Sequence, residues 1–108
     1  MTTYDFMRIL VFFDLPVKTK KQRHIYSKFR KHLLKTGHQM VQYSVYSKIV
    51  NTREAARDHA RDIERQAPKE GNIRLMTLTE KQYANMTIVV GGKSYQEKKI
   101  NIDPFIKF

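Results

Sequence analysis

Apolar residues follow two rhythms along this chain. Phe6 to Phe13 reads FMRILVFF, a near-continuous apolar run of strand length, which predicts a central, buried strand. It stops at the turn signal Asp14-Leu15-Pro16. The rhythm then becomes helical: Ile25, Tyr26, Phe29 and Leu33 predict an amphipathic helix over roughly 20–35. Thr19 and Gln22 have the spacing of a capping box at its start, and Gly37 is the expected stop. His38 to Val50, HQMVQYSVYSKIV, is rich in β-branched and aromatic residues but long for one strand. A bulge or tight hairpin is expected near Tyr43-Ser44. Asn51-Thr52 caps a second helix over about 53–66, ended by Pro68. Gly71-Asn72 opens a strand at Ile73–Leu78, and Thr79 to Gln82 repeats the capping signature ahead of a short helical turn. Met86 to Val90 reads as one more short strand, stopped by Gly91-Gly92.

The order β-α-β-β-α-β predicts an α+β fold, a ferredoxin-like sandwich with two helices on one face of an antiparallel sheet. Residues 1–92 form the expected domain. Residues 93–108 begin polar and end on Ile100, Ile102, Phe105, Ile106 and Phe108, an apolar tail that needs cover as an edge strand or against a second subunit.

Composition narrows the function classes. The 108 residues suit one domain. Cysteine is absent, which excludes a disulfide scaffold, a thiolate zinc site and a cysteine nucleophile. No apolar run approaches the roughly 20 residues of a membrane helix, and Met1 to Asp5 lacks a signal-peptide layout, so a soluble, cytoplasmic protein is expected, with no membrane partner. The 21 Lys and Arg against 10 Asp and Glu give a net charge of +11, which points to a polyanion. That charge is uneven. Between Asp14 and Glu54 lie ten basic residues and no acid. Lys18, Lys28, Arg30, Lys31 and Lys35 are the phosphate-contact candidates in this stretch, set against the plainer role of a solvated surface. On the second helix, Arg53, Arg57, Arg61 and Arg65 run beside Glu54, Asp58 and Asp62, the pattern of a self-paired solvent face.

Catalytic chemistry is sparse. The four histidines lack metal-ligand spacing, and there is no glycine-rich phosphate loop. Asp14 stands apart, a carboxylate at the end of the central strand where the basic helix begins. Such a group holds a hard cation against a phosphate, or simply bonds its own turn. One carboxylate per chain is a poor metal site, whereas two across a dimer axis would share one. Ser44 and Tyr46 supply hydroxyls that would orient phosphate or water, or serve strand packing and turn bonding.

Several segments together resemble a known family. Phe13-Asp14-Leu15-Pro16 after a buried strand, the basic helix with Tyr26, Phe29 and Arg30, Val41 to Tyr46, Gly71 to Arg74 and Leu78-Thr79 are similar to the motifs of the small CRISPR-associated adaptation proteins of the Cas2 family, over about residues 7–90. The tail and Leu78 to Gln82 look most like members from type II systems. The resemblance implies a homodimer in which the final strand of each chain completes the partner's sheet. It implies Asp14 as the metal-binding and catalytic acid, with Mg²⁺ as cofactor. Two activities are implied: an endonuclease on RNA or double-stranded DNA, and a non-catalytic DNA-binding dimer within the spacer-acquisition complex of the CRISPR integrase. A generic basic RNA-binding domain ranks below both, because the aromatic motif of an RNA-recognition sheet is missing.

Overall fold

A computed structural model describes residues 6–92 of the chain; the expected tail at 93–108 lies outside them. The elements are β1 (Met7–Asp14), α1 (Lys20–Lys35), β2 (Gln39–Gln42), β3 (Val45–Val50), α2 (Arg53–Gln66), β4 (Asn72–Thr79) and α3 (Glu80–Ala84). The four strands form one sheet in the order β2-β3-β1-β4, with every neighbouring pair antiparallel. This is the expected ferredoxin-like α+β sandwich, with α3 added after β4.

Strand β1 is central, paired from Met7 to Phe12 with β3 and from Met7 to Asp14 with β4. Side chains alternate across a strand, so its odd and even residues serve different faces. Met7, Ile9, Val11 and Phe13 enter the main core with Phe29 and Leu33 of α1, Tyr46 and Val50 of β3, and Ala56 and Ile63 of α2. Arg8, Leu10, Phe12 and Asp14 fall on the other face.

Local chemistry explains the boundaries. The Thr19 hydroxyl accepts from the Gln22 amide while the Gln22 side chain accepts from the Thr19 amide, closing the capping box of α1. Gly37, at φ +93°, supplies the left-handed residue that ends the helix. Thr52 caps α2, and Thr79 with Gln82 forms a second capping box at α3. The segment 38–50 splits as anticipated. Tyr43-Ser44 makes a two-residue turn, with Ser44 at φ 63°, and a register shift falls between Met40 and Gln42.

One expected strand is corrected. Met86 to Val90 has no strand structure; Val89 and Val90 are 88% and 89% exposed. The segment has strand composition, but a strand exists only where a neighbouring edge takes its backbone hydrogen bonds. Among the described residues it has no such partner.

The face away from α1 and α2 is closed at one end. The Arg8 guanidinium is buried there, with Nε 2.8 Å and Nη2 2.5 Å from the two Glu80 carboxylate oxygens. It also donates to Ser47 Oγ at 3.1 Å and lies 3.9 Å over the Tyr83 ring. This fork-on-fork pair and cation–π contact pin α3 beneath β1. Toward Asp14 the same face is open, and Met76 is half exposed on it.

Candidate acidic site and basic surface

Asp14 is the last residue of β1, exposed and paired in register with Asn72. It forms no salt bridge among the described residues. Its backbone is held from three directions. Behind it, the Phe13 ring packs against Tyr26, Phe29 and Tyr46 at centroid distances of 5.9, 5.3 and 5.5 Å. To one side, the Phe13 amide donates to the Ser44 carbonyl at 3.0 Å, tying the β2–β3 turn to the end of β1. On the β4 side, Gly71 sits at φ +96°, so close that a Cβ there would lie 2.7 Å from the Asp14 carbonyl oxygen and 2.7 Å from Leu15 Cδ2. A solvated carboxylate thus projects from a rigid strand end. Gly71 is a positioning residue that the sequence showed only as a strand-opening signal; its contact with Asp14 crosses the sheet and has no local signature.

The two hydroxyl candidates sit differently. Ser44 is part of the turn beside Phe13, where its carbonyl, rather than its hydroxyl, makes the recorded bond. Tyr46 is buried on the core face, opposite to Asp14 by strand alternation, and its hydroxyl accepts from Arg30 Nε at 2.8 Å. Tyr46 therefore orients a guanidinium.

Lys18, Lys28, Arg30, Lys31 and Lys35 are all exposed. Lys18 lies in the β1–α1 turn, where its amide donates to the Gln22 side chain. Lys28, Lys31 and Lys35 recur at i, i+3 and i+7 and share one stripe of α1. Arg30 lies on the opposite flank, beside Tyr46. The helix thus presents two basic edges. Arg23, on the Arg30 flank, is spent on the Val17 and Lys18 carbonyls at 3.1 and 2.9 Å.

Helix α2 pairs within itself as its sequence indicated: Arg61 with Asp58 at 3.2 Å and Arg65 with Asp62 at 3.7 Å, both i,i+3. Asp62 also reaches across to α1, where His32 Nε2 lies 2.6 Å away; that hydrogen bond holds the Asp62 carboxyl below its usual pKa. The pair joins the two helices, a role hidden in a sequence where the partners are thirty positions apart. No group of three or more His, Asp or Glu able to hold a metal occurs among the described residues. No helix among them is long and apolar enough to cross a membrane. The exposed end of β1 carries one carboxylate, Asp14. That donor set fits Mg²⁺, which keeps most of its waters and takes one or two carboxylates plus substrate phosphates.

Comparison with known proteins bears on the family and the fold. Residues 7–86 match the family described as CRISPR associated protein Cas2. A CRISPR-associated endoribonuclease Cas2 from Acidovorax ebreus is 48% identical over 95 residues, covering 88% of this chain and 93% of the relative. One of the same name from Treponema denticola is 51% identical over 85 residues, covering 79% and 84%. A crystal structure of cas2 shares the fold at a TM-score of 0.56 and 18% identity, over 83% of this chain and 91% of that one. The motif at Phe13 to Pro16, the sheet order and the extent of these matches place the chain in the Cas2 family of CRISPR-associated proteins.

Proposed function

We propose that this chain acts as a metal-dependent endonuclease of CRISPR spacer acquisition, with Asp14 as its catalytic acid and Mg²⁺ as its cofactor. One observation carries this: an exposed carboxylate, without a salt bridge among the described residues, on a strand end held by Phe13, Ser44 and Gly71 in a chain with charge +11. Relatives named as endoribonucleases favour RNA as the substrate, with double-stranded DNA as the other. Bound Mg²⁺ would polarise the scissile phosphate and lower the pKa of a water. Asp14 would supply the metal's protein oxygen ligand, and a second copy's Asp14 the other, making the active unit a homodimer. The apolar open face, including Phe12, Val45 and Met76, and the unpaired Ile88 to Val90 supply surface for such a dimer. Lys18, Lys28, Lys31 and Lys35 would hold flanking phosphates. Arg30, steadied by the Tyr46 hydroxyl, would direct its remaining N–H groups at another phosphate, and Ser44 would face the strand at the turn.

A second role has its own support: a duplex-binding dimer held by the CRISPR integrase, with no cleavage of its own. The Lys28, Lys31 and Lys35 stripe spans about 10 Å of helix and suits tracking a phosphate backbone without reading bases. The Asp14→Asn variant separates the two. Under the nuclease proposal the wild type cleaves while the variant only retards duplex in a gel; under the binding role neither cleaves and both retard it. Unchanged cleavage by the variant would remove Asp14 from the chemistry.

A further inference from the structure

The turn that carries Asp14 has a second side. Leaving β1, Leu15 and Pro16 line a cleft of about 480 Å³ between the start of α1 and the end of α2. Its volume lies within the roughly 300–1,000 Å³ of small-ligand sites. The floor is apolar, built from Leu15, Ile25, Phe29 and Pro68. The rim is cationic, with Lys21, Lys28 and Lys69. None of these three lysines forms a salt bridge among the described residues. Two further lining residues, His32 and Arg65, are engaged by Asp62, and Glu70 is the single carboxylate in the lining. An apolar floor ringed by three unneutralised ammonium groups selects a ligand with a flat apolar body and a compact, multiply charged anion.

We propose that this cleft holds an unpaired terminal nucleotide of a nucleic-acid strand, its base and sugar on the Leu15–Ile25–Pro68 floor and its phosphates at Lys21, Lys28 and Lys69. Lysine serves phosphate as a point charge without demanding one geometry. The placement is the second support. Leu15 and Pro16 follow Asp14 directly, and Glu70 of the rim precedes Gly71, the residue packed on the Asp14 carbonyl. The cleft is thus continuous along the chain with the turn that carries Asp14. The ligand's source rests on the nucleic-acid function proposed above, and the binding chemistry rests on the cleft alone.

The test is fluorescence anisotropy with the full chain and two labelled, 5′-phosphorylated duplexes of equal length, one blunt and one carrying a single unpaired nucleotide at each 5′ end. The readout is the ratio of the two Kd values within each variant, which cancels changes in overall charge. The wild type should bind the overhang duplex about fivefold to tenfold more tightly. Lys21→Gln with Lys69→Gln should bring the ratio to about one, with the fold verified by circular dichroism. Lys20→Gln, outside the cleft, should leave it unchanged. Free dTMP should compete away the overhang's advantage without displacing blunt duplex. Equal binding of both duplexes by the wild type overturns the proposal, as does a ratio that survives in the double variant. Loss of the advantage to an acidic, leucine-containing peptide but not to dTMP overturns it in favour of a protein ligand. A wild type that binds neither duplex contradicts the nucleic-acid function as well, so the two failures are distinct.

Discussion

Asp14 draws its importance from neighbours that leave it nowhere else to go. Gly71 is the most exacting of them: both its positive φ and the 2.7 Å approach to the Asp14 carbonyl exclude a side chain. Gly71→Ala should cost about 1–3 kcal/mol in urea unfolding and lower the cleavage rate at saturating substrate by shifting the strand end. A variant of full stability and full rate would show that the turn yields freely. His38 makes a different prediction. It is 2% exposed, its Nε2 has no partner among the described residues, and its ring meets His59 edge-on at 6.4 Å. Burial first, then the nearby Lys48, push its pKa down to about 4. The unfolded chain, with His near 6.5, binds the proton more tightly than the fold does. Stability is therefore full above about pH 6.5 and falls as pH drops toward 4, by on the order of 3 kcal/mol. His59, also lowered by burial first, adds in the same direction. Melting temperatures from pH 7 to 4.5 should fall less steeply in His38→Gln than in wild type. Parallel curves would contradict the assignment.

At the scale of elements, what was legible in the sequence was what is decided nearby. The capping boxes at Thr19 and Thr79, the Gly37 stop and the turn at Tyr43-Ser44 depend on residues within three or four positions, and all were foreseen. Contacts made across the fold were not. Arg8 lies inside the apolar run of β1 with no sequence signal of its own, yet it is the anchor of α3 through a partner 72 positions away. Met86 to Val90 read as a strand because composition reports a preference for strand, while a strand also needs an edge to pair with. For the candidate site, the solitary position of Asp14 was visible, but the cleft behind it was not, since α1 and α2 meet only in three dimensions. The Arg8–Glu80 pair yields a test of how α3 is held. Glu80→Ala leaves a buried guanidinium without its counter-charge and should cost about 3–5 kcal/mol, whereas Arg8→Met with Glu80→Gln should cost much less. Equal losses would show that packing of Tyr83, rather than charge, holds α3.

For the whole molecule, the question is how a chain with one proposed catalytic carboxylate and an open apolar sheet face becomes an active unit. A second copy answers both needs, and the apolar tail at 99–108 is the proposed fastening. Its removal should lower dimer stability, read as an increased monomer fraction in sedimentation at micromolar concentration. A truncated chain that remains a dimer of equal stability would free the tail for contact with the integrase. Net charge of +11 adds that nucleic-acid binding should weaken steeply with salt, since each phosphate contact releases a counterion. The central claim is that Asp14 and a metal together cut phosphodiesters. The most direct measurement incubates wild type and Asp14→Ala with labelled single-stranded RNA and double-stranded DNA, with Mg²⁺ or with EDTA. Because Asp14 is exposed, both proteins should melt alike. Cleavage by wild type in Mg²⁺ alone, absent in EDTA and in the variant, is the predicted result; equal cleavage by both proteins, or cleavage undiminished in EDTA, would contradict it.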